Sequence, residues 1–189
     1  MLVKTFGSAV FGIDAAIITI EVSVSKGINF FLVGLPDNAV KESKQRIETA
    51  IKSLDLHWPG KRIVINMAPA DIRKEGSAYD VPLAVGILAA SEQIKEDRLA
   101  DFVIMGELSL DGSIHPVKGV LPIAIEARKQ GFKGFILPKE NAREAAVVDK
   151  LSVYGVESLT EVIDFLNGDA TMEPTYVDTR NEFFLNPQK

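Results

Sequence analysis

The 189-residue sequence contains no cysteine, which excludes disulfides and thiolate-held metals. Its two histidines, His57 and His115, lie far apart without ligand-type spacing, so a metal site would have to be built from carboxylates alone. Tryptophan occurs once, at Trp58, and aromatic residues make up 7% of the chain. No apolar run approaches the roughly 18 residues that suggest a membrane span. The opening MLVKTFGSAVFG also lacks the long apolar core of a leader peptide. These absences predict a cytoplasmic protein with no membrane partner. The pattern G-x-x-x-x-G-K-[ST] occurs nowhere, so the sequence holds no Walker-type nucleotide site.

What is present is the balance of a soluble globular domain, 47% hydrophobic and 25% charged, long enough for one domain with a tail. The formal net charge of −5 repels nucleic acid as an overall field, leaving only a local basic patch to attract it. Ile18, Ile20, Val22 and Val24 alternate in a strand over 14–24, and INFFLVGL at 28–35 predicts a second strand after the SKG turn. Pro36 and Asp37 open a helix to about Leu54, with Val40, Ile47, Ile51 and Leu54 on one face. A short strand at 62–69 precedes VPLAVGILAAS, apolar nearly all round and therefore a sealed helix, for which Asp80 is the expected N-cap. Beyond it the pattern predicts a strand at 102–106, a hairpin turning at Asp111-Gly112 and a helix over 117–130. Strands at 135–138 and 151–156 then alternate with two helices, the last closed by Gly168. Alternation of this kind argues for an α/β or α+β domain, one sheet with helices packed on it.

RKEGSAYD, residues 73–80, places glycine and serine at a helix start and admits three readings. A nucleophilic Ser77 would need a base in reach, and the spacing of His57 and His115 supplies none. A phosphate cradle would use the helix N-terminus, but Glu75 and Asp80 repel an anion there while Arg73 and Lys74 attract it. An ordinary turn or cap is the third reading.

KEGSAYDVPLAVGILAAS, GELSLDGSIHPVKGVLPIAIEARKQGF and ILPKENAREA, in that order, resemble the proteolytic domain of Lon proteases. They resemble still more the N-terminal domain of the ComM/YifB family of magnesium-chelatase-like AAA+ ATPases, which VGLPDNAVKESKQRIETAI at 33–51 also fits. The resemblance covers about residues 3–167. It implies an α+β (α/β-like) fold of the Lon-protease-like, or ribosomal protein S-five domain-two-like, kind, a mixed sheet with packed helices. Residues 1–168 would form that N-terminal domain, and 169–189 a linker toward an AAA+ ATPase domain absent from this sequence. Aligned through KEG, the place of the Lon serine falls on Ala78 and that of the partner lysine on Leu121. The resemblance thus implies no catalytic residue, cofactor or metal within this chain. ATP and Mg2+ belong to the missing motor, and the whole protein would be a hexamer acting in DNA branch migration, recombination and natural transformation. The alternative is a Ser-Lys peptidase using a displaced Ser77 and Lys118.

Lys41, Lys44, Arg73 and Lys74 are the candidate contacts to DNA or a protein partner, with Arg46, Lys52, Lys61 and Arg62 near them in the sequence. The competing reading is a solvated face, since Glu42, Glu48 and Asp55 interleave. Trp58 with Phe30-Phe31 offers a stacking platform for single strands, against which the apolar strand context favours core packing.

Overall fold

In the computed structural model, residues 1–178 are described. β1 (Leu2–Phe11) and β2 (Asp14–Ser25) form a long antiparallel hairpin, Phe11 opposite Asp14, with Gly12 at φ +62° in the turn. β3 (Phe30–Val33) follows, then α1 (Asn38–Lys41), α2 (Ser43–Ser53) and β4 (Arg62–Ala68). The four strands make a mixed sheet in the order β1-β2-β4-β3, in which only the β3–β4 pairing is parallel. Strand alternation sends Ile18, Ile20, Val22, Ile63, Ile65 and Met67 to one face, where all are fully buried. Each such side chain contributes about 1.5–3 kcal/mol of burial before conformational entropy is counted.

α3 (Asp80–Ala90) lies on that buried face, and all eleven of its residues are sealed from solvent. It comes so close that a Cβ on Gly86 would stand 2.6 Å from Val22 Cγ2. A second sheet of three parallel strands follows: β5 (Phe102–Ile104), β8 (Gly134–Pro138) and β9 (Ser152–Val156), in the order β5-β8-β9. Between its first two strands come the small hairpin β6 (Glu107–Leu108) and β7 (Ile114–His115), and α4 (Val120–Lys129). α4 covers the β1–β2 end of the first sheet's other face, where Phe6 meets Phe132 edge-on at 5.3 Å. At the β3 end, Phe31, Val33 and Leu35 stay exposed.

α5 (Ala142–Ala146) and α6 (Leu159–Asn167) complete the described elements. Ser158 caps α6 by accepting from Glu161 N–H, and Gly168 ends it in the left-handed region. Phe165 of α6 packs against Phe102 and Tyr154, Arg98 Nη1 donates to its carbonyl at 2.6 Å, and Thr175 N–H reaches back to Val153 C=O. Of the expected linker 169–189, residues 179–189 lie outside those described.

The mixed α+β fold with packed helices is present as expected. Three local expectations differ. Strand β1 was not foreseen at all. The single helix expected over 37–54 is divided at Glu42: the Ala39 carbonyl, which an unbroken helix would direct to Ser43 N–H, accepts instead from Arg46 Nη2 at 3.0 Å. The strands also divide between the mixed sheet, the parallel sheet and the small hairpin, where one sheet was expected.

Candidate functional site

A cleft of about 750 Å³ opens beside the N-terminus of α3. The loop Arg73–Tyr79 forms one wall, the end of β1 another, and Glu107 with the stretch before α4 a third. Backbone pairing fixes the first wall: Lys74 N–H donates to Leu35 C=O and Asp37 N–H to Lys74 C=O. Asp37 also caps α1 through Val40 N–H and accepts Gly76 N–H at 3.1 Å, Gly76 having φ +85°. The Ala78 carbonyl is held by Gly106 N–H at 2.8 Å, and the Gly106 carbonyl by Val81 N–H.

Ser77, Ala78 and Lys118 all line this cleft, whereas Leu121 packs half-buried against the core. No hydrogen bond joins the Ser77 hydroxyl to the Lys118 amine among the described residues. Asp37, Glu75 and Glu107 set three carboxylates against the two cations Arg73 and Lys118, which disfavours a phosphate in the cleft. Burial, with Asp37 and Glu75 nearby, holds the Tyr79 phenol well above its ordinary range and so un-ionised. No group of three or more His, Asp or Glu side chains that could hold a metal occurs among the described residues.

Asp80 is not the N-cap expected of it. Tyr79 holds that position without a side-chain bond, and Asp80 is the first helical residue, fully buried. Its carboxylate accepts from Ser43 Oγ at 2.6 Å, Arg46 Nε at 2.7 Å, Arg46 Nη2 at 3.0 Å and Leu108 N–H at 3.0 Å. Arg46, read from sequence as a solvated cation, is therefore committed to an internal ion pair. Its hydrogen bond to Asp80 raises the guanidinium further above its ordinary value, against the opposing effect of burial.

The four candidate basic contacts separate. Lys41 is exposed, and Lys44 stands over the Phe30 ring with Nζ 5.6 Å from its centroid. Arg73 is exposed but paired with Glu75 at 3.3 Å, a surface pair worth little. Lys74 is a correction: its side chain is fully buried, its ammonium donating to the carbonyls of Gly34 and Pro69. Desolvation lowers its pKa, and no phosphate can reach it. The aromatic expectation is half right, since Phe30 is half-buried against Trp58, with centroids 6.3 Å apart, while Phe31 keeps 44% of its surface exposed.

Comparison with known proteins gives this fold its relatives. The family profile described as subunit ChlI of Mg-chelatase matches residues 20–141. The chain is 42% identical to the competence protein ComM of Haemophilus influenzae over 168 residues, 88% of this chain and 33% of that protein. It is 40% identical to the uncharacterized protein YifB of Escherichia coli over 166 residues, covering 87% of this chain and 33% of the relative. Lon protease 2 of Bacillus subtilis is 27% identical over 145 residues, 75% of this chain and 26% of the protease, in keeping with the Lon-like fold. The chain thus spans about a third of the length of the ComM and YifB relatives it matches. It belongs to the Mg-chelatase subunit ChlI family, among relatives of the ComM and YifB type.

Proposed function

We propose that this chain is a non-catalytic Lon-fold domain of a ComM/YifB-type AAA+ ATPase of the cytoplasm. It supports ring assembly or engages DNA while a motor domain outside this sequence, using ATP and Mg2+, supplies the free energy. The name of the Haemophilus relative, a competence protein, supports a setting in natural transformation; branch migration and recombination of DNA are what the ComM resemblance implies for it. The observation that carries the reading is the chemistry at the two positions the Lon resemblance singles out, one on the cleft wall and one packed against the core. Where the Lon resemblance locates its serine there is the Ala78 methyl group, and where it locates its lysine there is the Leu121 side chain. Neither can attack a carbonyl or accept a proton.

A second reading rests on one specific feature, the presence of Ser77 and Lys118 on the walls of the same cleft. Casein or a fluorogenic peptide incubated with the chain, beside a Ser77→Ala variant, separates the two. The first reading expects no turnover above buffer in either sample. Cleavage that disappears with Ser77→Ala would replace it with the peptidase.

A further inference from the structure

The β3 end of the mixed sheet gathers cations around one exposed ring, Phe31, and one half-buried ring, Phe30. Arg62, at the start of β4, faces Ser25 across the β2–β4 ladder and stands 5.3 Å from the Phe31 centroid. A Cβ on Gly27 would touch the Arg62 side chain at 2.9 Å, so the turn carrying Lys26 lies directly against it. Lys61 precedes Arg62 in the chain and is exposed. On the other side of the strand, Lys44 lies over Phe30, which stacks on Trp58. None of Lys26, Lys44, Lys61 and Arg62 takes part in an ion pair among the described residues, in a chain whose net charge is −5.

The same side of the sheet continues from Phe31 to Val33, exposed by 44% and 47%, and beyond the end of the strand Leu35, at φ +58°, is exposed by 53%. Phe31 and Val33, alternate residues on one face of β3, make an apolar strip roughly 7 Å long at ~3.3 Å per residue. Among the strand residues on that side, Glu21 is the carboxylate, and it accepts from Asn66 Nδ2 at 2.8 Å. The combination is specific in its chemistry. Unpaired cations beside an exposed ring suit a ligand that carries phosphates and bare aromatic bases together. Duplex DNA offers phosphates but keeps its bases stacked inside, so an exposed ring and an apolar strip gain nothing from it.

We infer that the β3 edge, centred on Phe31 and Arg62, binds single-stranded nucleic acid, with Phe31 stacking a base and Arg62, Lys61, Lys26 and Lys44 holding the backbone. The inference rests on the DNA-engaging reading above and adds to it a surface and a strand state. The cleft beside α3 has no part in it.

The test uses the 189-residue chain with fluorescein-labelled oligo-dT and a duplex of equal length, read by anisotropy across a salt series. Single-stranded binding should exceed duplex binding and fall as salt rises. Phe31→Leu, which keeps an apolar side chain at a half-exposed site, should weaken oligo-dT binding about tenfold, as expected for losing one stacked base. It should leave duplex binding unchanged. Arg62→Ala should reduce the slope of log K against log salt by about 0.7, the value for one single-strand phosphate contact. Far-ultraviolet circular dichroism on both variants confirms that the fold is kept. Duplex preference, or oligo-dT binding unaltered by both substitutions but lost with Lys41→Ala, would overturn the surface and leave DNA engagement standing. No salt-sensitive binding of either nucleic acid would remove both.

Discussion

Asp80 shows how a single side chain can be misread when its partner is distant in sequence. An aspartate at the start of an apolar helix satisfies the local rule for a cap, and nothing near it in the chain argues otherwise. Its actual partners, Ser43 and Arg46, lie 37 and 34 residues earlier, and only the packing of α2 on α3 brings them together. The consequence is energetic. Arg46→Ala would leave a fully buried carboxylate without its counter-charge, for which a cost of about 3–5 kcal/mol is expected. Urea unfolding monitored by circular dichroism should show the midpoint drop, and a change within experimental error would mean the pair is not structural. Lys74 is the opposite case, a cation whose residue type signals exposure but whose ammonium is folded into backbone carbonyls. Depressing a lysine pKa leaves more free amine at a given pH and would by itself speed acylation. Burial should prevail: a water-soluble N-hydroxysuccinimide ester at pH 8 should label Lys41 fully before Lys74 in the native chain, by peptide mass spectrometry. Labelling of Lys74 at the rate of Lys41 would contradict the buried placement.

At the level of elements, the central strands and α3 were legible because their burial writes itself into composition. Ile18, Ile20, Val22 and Val24 repeat every second residue, and VPLAVGILAA has no polar face to offer solvent. β1 was not legible, because its buried positions after Val3 are Thr5, Gly7, Ser8 and Ala9, small or polar residues that carry no hydrophobic period. They are small because α3 and the Met105 region press against them: Gly7 would place a Cβ 3.2 Å from Met105 Sδ, and Thr5 Oγ1 donates to the Pro82 carbonyl. The same crowding makes a prediction about Gly86. Alanine at this helical position would gain up to about 1 kcal/mol of intrinsic propensity, but its methyl group would meet Val22 Cγ2 at 2.6 Å. Overpacking of this kind costs about 1–3 kcal/mol, so Gly86→Ala should destabilise the chain. Val22→Ala combined with it should recover part of the loss, and thermal melts of the two single variants and the double would measure that coupling. Strict additivity would show that the contact is not the cause.

For the molecule as a whole, the fold was readable in the order of its motifs and the site only in outline. RKEGSAYD does border a cleft, and Ser77 and Lys118 do face the same space. Which basic residues reach solvent could not be read from the sequence. Exposure depends on how Leu35–Asp37 and Arg73–Tyr79 are laced together, and that pairing crosses nearly forty positions. The basic residues that the sequence placed on one surface therefore divide four ways: Arg46 and Lys74 turn inward, Lys52 and Arg73 meet Glu48 and Glu75, Lys44 and Arg62 lie over rings at the β3 edge, and Lys41 and Lys61 are exposed.

α6 closes the structure in a way that bears on how the chain can be cut. Phe165 packs against both Phe102 and Tyr154, which also meet each other edge-on, its carbonyl receives Arg98, and Asn167 Oδ1 accepts Lys95 N–H. A minimal autonomous fragment must therefore run through Gly168, since truncation before Leu159 would strip one wall from the parallel sheet and leave a greasy, sticky flank.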